Sequence, residues 1–284
     1  MTPRRPLTRV LLHLVVILFA VCWLVPTLGL LITSFRTPAE ISGSGWWTVL
    51  TGLFDPHQFT LENYRQVIHQ QGLGRSLLNS LTISVPATLA SILIAVLAAF
   101  GFAWMRFAGQ KVLFMLVVGL MVVPFQMTFI PILPVYRWLG LAGTFPGIWL
   151  AHAGYGLPLT IYLLHNFIAG LPRELFDAAA IDGASPLGTF LRIVLPVSLP
   201  ALASVFIFQF LWIWNDLLVA LIYLGAKPSV APLTVTVANL VTSRGQNWEL
   251  LTAAAFVSMV LPLTVFFTLQ KHFVRGILAG SLKG

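Results

Sequence analysis

At 284 residues, with 58% hydrophobic side chains, 8% charged and a mean hydropathy of +0.93, the chain cannot be an ordinary soluble domain, whose charged fraction is about 25%. Its formal charge of +8 comes from 16 Lys and Arg scattered in ones and twos between apolar runs, without a basic stripe or a nucleic-acid-binding signature, so no nucleic-acid partner is expected. The single cysteine, Cys22, lies in an apolar run, which excludes an intrachain disulfide and a thiolate metal cluster.

Arg4, Arg5 and Arg9 precede an apolar run, as at the head of a secretory signal. However, Val10 to Ile32 is long enough to cross a bilayer, whereas a signal's apolar region is about 7 to 15 residues, and no small-x-small cleavage site follows. It is read as a retained first span. Counting apolar runs of about 20 residues predicts an all-α membrane protein with six spans, near residues 10–32, 79–104, 112–133, 146–168, 200–223 and 250–269. Ten of the sixteen Lys and Arg then fall on one side with both termini, which predicts an N-in, C-in topology. In that frame residues 1–9 form a cytoplasmic N-terminus and 10–284 a single transmembrane domain, with 33–78 outside, 171–199 cytoplasmic and 270–284 a basic cytoplasmic tail.

In the outside segment Trp46 and Trp47 suit an interfacial anchor, Phe54-Asp55-Pro56 reads as a turn, and FTLENYRQVI has helical periodicity. The third and fourth spans carry Pro124, Pro131, Pro134, Gly154, Gly156 and Pro158, so kinks or unwound turns are expected there. The fifth span holds Gln209, Asn215 and Asp216, and Asp216 is the one acidic residue squarely within a span. Two readings are open: it marks a pathway, or Asn215 and Asp216 cap and pair with neighbouring helices. His152 and His165, in the fourth span, have no carboxylate close in sequence and read as interhelical hydrogen-bonding groups.

Leu171 to Pro200, LPRELFDAAAIDGASPLGTFLRIVLPVSLP, is the polar-punctuated exception. Pro172 suits a first helical position and Glu174 the N-terminal dipole. Gly183 suits a left-handed cap, and Ser185-Pro186 restarts a helix, so two short helices meet at an elbow. Leu175, Phe176, Ala178, Ala179, Ala180 and Ile181 supply small or apolar side chains suited to a docking surface. Chemistry of the chain's own is not in evidence. None of the four lysines sits in a phosphate-binding Gly-Lys-Ser/Thr context, no HExxH or close His/Cys cluster exists, and Ser44 lacks the flanking glycines of a nucleophile elbow.

Asp177-Ala178-Ala179, then Gly183, then Ile193-Val194-Leu195-Pro196 stand at the spacing of the cytoplasmic signature of ABC importer permeases, with Asp177 where Glu is usual. Ser34-Phe35-Arg36-Thr37-Pro38-Ala39-Glu40-Ile41, Glu62-Asn63-Tyr64, Trp214-Asn215-Asp216 and the closing Gly280 to Gly284 extend the likeness over nearly the whole chain. The sequence resembles the carbohydrate-uptake permeases similar to the smaller membrane subunit of the maltose transporter. Ser42 to Trp47 and Ser243 to Trp248 look closer to the α-glucoside and glucosylglycerol branch.

The resemblance implies a type I ABC importer permease bundle with a cytoplasmic coupling helix, in a bacterial inner membrane. It implies a non-catalytic subunit that binds no cofactor, with ATP and Mg held by two partner ATP-binding subunits. A second homologous permease subunit and an extracytoplasmic solute-binding protein would complete the importer, with lipid around it and a carbohydrate as cargo. Glu174, Asp177, Ala178, Ala179, Asp182, Gly183, Ala184, Phe190 and Pro196 are the expected ATPase-coupling residues. The tail from Gly276 to Gly284 is a second contact candidate. Gln126, Tyr155, Gln209, Trp212, Trp214, Asn215 and Asp216 are the candidates for the substrate pathway. The alternatives are a permease of this architecture for other solutes such as phosphorylated polyols, and an ion-coupled secondary transporter, for which inverted repeats and several intramembrane ionisable groups are expected.

Overall fold

The computed structural model describes residues 6–51, 56–225, 227–240 and 247–281. Its helices are α1 (Pro6–Phe35), α2 (Pro38–Gly43), α3 (Thr48–Thr51), α4 (Glu62–His69), α5 (Leu73–Trp104), α6 (Gln110–Gly119), α7 (Phe129–Trp138) and α8 (Phe145–Ala169). They continue as α9 (Arg173–Ile181), α10 (Pro186–Thr189), α11 (Leu195–Val197), α12 (Leu199–Trp214), α13 (Leu218–Leu224), α14 (Leu233–Leu240) and α15 (Trp248–Ser281). Among the described residues the only extended pairing is an isolated bridge between Arg36 and Phe59. The chain divides into two compact units, Met1–Gly74 with Thr236–Met259, and Arg75–Val235 with Val260–Gly284.

In the first unit α1 is exposed along nearly its whole apolar length, as suits a helix facing lipid. Gly29 gives Trp46 a seat on α1, because a Cβ there would lie 2.7 Å from the indole. Trp47 packs edge-on to Trp46 and is 60% exposed, so of the expected anchor pair one ring is docked and one faces outward. Beyond α1 the chain ties a polar knot. Arg36, 1% exposed, donates to the Ser44 carbonyl at 2.9 Å and the Glu40 carbonyl at 3.0 Å, and its Nη2 also meets the Ser44 hydroxyl. Asn63 Nδ2 donates to the carbonyls of Ser34 and Arg36, both at 2.9 Å, and the Tyr64 hydroxyl meets Ser34 Oγ at 2.7 Å. The two short motifs after α1 and in α4 are thus halves of one structure, each satisfying buried polar groups of the other. The expected turn at Phe54-Asp55 lies outside the described residues.

In the second unit α5, α8 and α12 run through two apolar clusters. One holds Ile83, Ala87, Ile148, Ala151 and Ile213; the other holds Val96, Phe100, Ile161, Leu164, Ala201 and Val205. The order along the chain makes α8 parallel to α5 and antiparallel to α12. Trp149 Nε1 donates to the Thr82 carbonyl at 2.7 Å and Trp104 Nε1 to the Ile168 carbonyl at 3.1 Å, tying α5 to α8 at both ends. Asn79 and Ser80 hold the turn before α14: Asn79 Nδ2 donates to the carbonyls of Ser229 and Ala231, and Ser80 Oγ accepts from Leu233 N–H at 2.8 Å.

Val10–Phe35, Leu73–Trp104 and Trp248–Gln270 are long and apolar enough to cross a bilayer. Two further stretches qualify only as broken pairs: Gln110–Val122 with Phe125–Trp138, bent by 93°, and Pro186–Val197 with Leu199–Trp214, bent by 73°. The first break is at Pro124, which supplies no N–H to continue the helical ladder. The expected fifth span also stops at Trp214 and restarts as α13. α8, at 25 residues, is about 37 Å long. Its buried positions include Gly147, His152, Gly156 and Thr160, which lower its hydropathy while letting neighbours approach. The expected last span, 250–269, lies within Trp248–Gln270, and α15 continues beyond it as helix to Ser281.

Candidate functional site

The elbow is built as its sequence requires, with one offset: Pro172 occupies the cap position and α9 begins at Arg173. At the other end Gly183 adopts φ +69°. Its N–H reaches the Ala180 carbonyl at 3.1 Å while Ala184 N–H reaches Ala179 at 2.9 Å, the paired bonds of a glycine-terminated helix. Ser185 Oγ then accepts from Gly188 N–H at 3.2 Å, with Pro186 as the first residue of α10. A π turn over Phe190–Val194 follows.

Helical period sorts the expected coupling residues into two sets. Glu174, Asp177, Ala178, Asp182, Gly183, Ala184 and Pro196 are exposed, together with Ile181 at 86%. Ala179 and Phe190, each 4% exposed, are buried within this chain. Ala179 shares the inner face of α9 with Phe176, and Phe190 packs on Phe100 with centroids 5.3 Å apart, so these two expected coupling residues present no free surface of their own. Phe176 stacks on Trp104 at 3.4 Å and 15°. The inner face therefore clamps the elbow to α5, and the outer face presents three carboxylates. Asp177 and Asp182 make no ion pair among the described residues. Trp104 escaped sequence reasoning; its place at the end of a predicted span was the available signal.

The second constellation gathers around the two helix breaks. Asn215 ends α12, its Nδ2 donating to the Leu211 carbonyl at 2.8 Å. Asp216 Oδ2 accepts from Ala220 N–H at 3.2 Å in the first turn of α13, and its carbonyl accepts from Thr234 Oγ1 at 2.7 Å. His152 Nε2 lies 3.9 Å from the same carboxylate, with the side chains 1% and 10% exposed. The histidine that lacked a carboxylate nearby in sequence thus lies near one brought to it by the break, and Asp216 caps the start of α13.

Two cavities flank this region, about 610 Å³ and about 700 Å³, sharing Phe125, Phe208 and Trp212 in their linings. Tyr155 and Gln209 line the first; Gln126, Asn215 and Asp216 line the second. Six of the seven pathway candidates are thus brought together. Trp214 is not among them: it is 3% exposed and lies near-parallel to Phe210. Tyr155 is held rigidly, its hydroxyl bonded to Tyr223 at 2.6 Å and Thr128 at 2.8 Å, with the Phe125 ring 5.1 Å away. Among the described residues no group of three His, Cys, Asp or Glu is placed to hold a metal ion.

Residues 91–279, which include the elbow and both cavities, match the family of binding-protein-dependent transport system inner membrane components. The chain belongs to this family. The permease is 57% identical over 272 residues, 96% of its length and 91% of the relative's, to the osmoprotective compounds uptake permease protein GgtD of Synechocystis sp.. It is 42% identical to the alpha-glucoside transport system permease protein AglG of Rhizobium meliloti, covering 99% of this chain and 98% of the relative. A chain of the bacterial ABC transporter that imports the acidic polysaccharide alginate superposes with a TM-score of 0.81 over 96% of the permease and 100% of that chain, at 21% identity. That likeness establishes the type I ABC importer permease fold. The permease is accordingly a multi-pass, all-helical inner-membrane component of such a transport system.

Proposed function

We propose that the permease is the non-catalytic half of the translocation pathway in an ATP-driven importer of neutral carbohydrates, α-linked di- or oligosaccharides or glucosylglycerol. Hydrolysis, with its ATP and Mg, belongs to two partner ATP-binding subunits. A second permease subunit completes the pathway, and an extracytoplasmic binding protein delivers the sugar. The observation that carries this reading is the elbow at the family signature. Its inner face is fixed on Trp104 while Glu174, Asp177 and Asp182 stand free to meet the cations of an ATPase groove. A rigid elbow moves with its groove and carries that motion into α5 and α8. A count of six spans (α1, α5, the bent α6–α7 pair, α8, α12 with α13, and α15) and the N-in, C-in bias of Lys and Arg support a cytoplasmic elbow, on the side where ATP is available.

The relatives named for alpha-glucosides and osmoprotective compounds support the cargo class. So does charge: neither cavity lining includes Lys or Arg, and Asp216, the one carboxylate, is already engaged. Phosphorylated polyols call for cations. Competition for uptake into proteoliposomes holding the full importer tests this. Maltose, trehalose, sucrose or glucosylglycerol competes, and glycerol phosphate does not; the reverse pattern overturns the cargo assignment.

A further inference from the structure

Gln209, on α12, is 6% exposed, and its Nε2 has no hydrogen-bond partner. A buried amide left in that state is costly and marks a place where a partner arrives. The side chain lies in the wall of the 610 Å³ cavity, against Gly156 of α8. A Cβ at 156 would collide with the carboxamide, so the glycine is the notch that seats it. Trp212, one turn further along α12, and Tyr155, beside Gly156, line the same cavity. The Tyr155 hydroxyl is already committed to Tyr223 and Thr128, whereas the buried Gln209 carboxamide has hydrogen-bonding capacity to spare. A mostly apolar cavity with a few placed polar groups is the usual form of a small-molecule site. An uncharged amide between aromatic rings suits a hydroxyl on a ring with C–H faces, and brings no net charge to balance that of an anion or a cation.

We propose that this wall is a carbohydrate subsite of the permease itself. The Gln209 carboxamide hydrogen-bonds one sugar hydroxyl, the Trp212 and Tyr155 rings cover the sugar's apolar face, and Gly156 sets the position of the amide. The proposal rests on the neutral-carbohydrate reading above.

The test uses the full importer in proteoliposomes and whichever of maltose, trehalose, sucrose and glucosylglycerol the wild type transports, in competition with its monodeoxy analogues. The binding protein's preference is the same for every variant and cancels from the comparison. Gln209→Leu is expected to weaken discrimination at one hydroxyl by about 3- to 10-fold, the effect of one neutral hydrogen bond, and to leave the other hydroxyls unaffected. Gly156→Ala, which pushes the carboxamide out of its notch, is expected to do the same, and decides the matter where Gln209→Leu does not assemble. Discrimination unchanged at every hydroxyl, whatever the overall rate, overturns the proposal: the cavity then holds lipid or a partner's side chain, and Gln209 only packs. Failure of the carbohydrate reading shows separately, as a wild type that transports none of the four sugars.

Discussion

Replacing Gly183 isolates the backbone of the elbow from everything around it. Its φ is +69°, and a Cβ there would meet nothing within 4 Å, so the first side-chain atom of Gly183→Val has open space. The penalty is conformational, about 1–2 kcal/mol for a left-handed residue with a side chain and at the upper end for a β-branched one. About 2 kcal/mol moves an equilibrium roughly 30-fold, here away from the state in which Gly183 and Ala184 close the end of α9. In proteoliposomes, with uptake and phosphate release measured together, Gly183→Val is expected to raise the ATP consumed per sugar severalfold while the subunits still co-purify. Gly183→Asn, which tolerates the left-handed region, is expected to stay near wild type. Unchanged coupling in Gly183→Val would refute the reasoning. Equal damage from Asn and Val would too, since it would trace the effect to the exposed surface and not to the backbone.

Phe176→Ala removes the ring stacked on Trp104 and is expected to lower the melting temperature of the complex and loosen coupling, by analogy with core truncations costing about 3 kcal/mol; differential scanning fluorimetry reads the first effect. Asp177→Ala is expected to weaken co-purification with the ATP-binding subunits in a salt-dependent way, and Asp177→Glu, which restores the longer arm, to match or exceed wild type. Asn63→Leu strands the Ser34 and Arg36 carbonyls and is expected to cost about 1–3 kcal/mol of stability, seen as earlier thermal aggregation in detergent. Asp216→Leu removes the acceptor for Ala220 N–H, a loss of about 1 kcal/mol for a helix cap, whereas Asp216→Asn keeps an acceptor and is expected to retain more uptake.

What could be read from the sequence followed local rules. Gly183, Ser185 and Pro186 have backbone requirements that hold wherever they stand, so the elbow was legible down to its caps. Pro124 announced the first helix break, but the break at Asn215 to Leu217 has no proline or glycine and depends on Thr234, His152 and the α13 amides gathering around Asp216. Contacts of this length are not encoded in any window of sequence. The Gln209–Gly156 fit and the seating of Trp46 on Gly29 are of the same kind. The inward placement of Ala179 and Phe190 was not legible for a different reason. Small and aromatic residues suit either face of a short helix, and only the position of Trp104 and Phe100 decides which face is inward.

The central claim, that the permease passes sugar only when partner subunits hydrolyse ATP, is tested most directly by sugar uptake into proteoliposomes with the ion gradient collapsed. With active ATP-binding subunits uptake is expected to persist, and with an ATPase-inactive substitution in those subunits it is expected to stop. Uptake that continues with the inactive partners and disappears with the ion gradient would contradict the account.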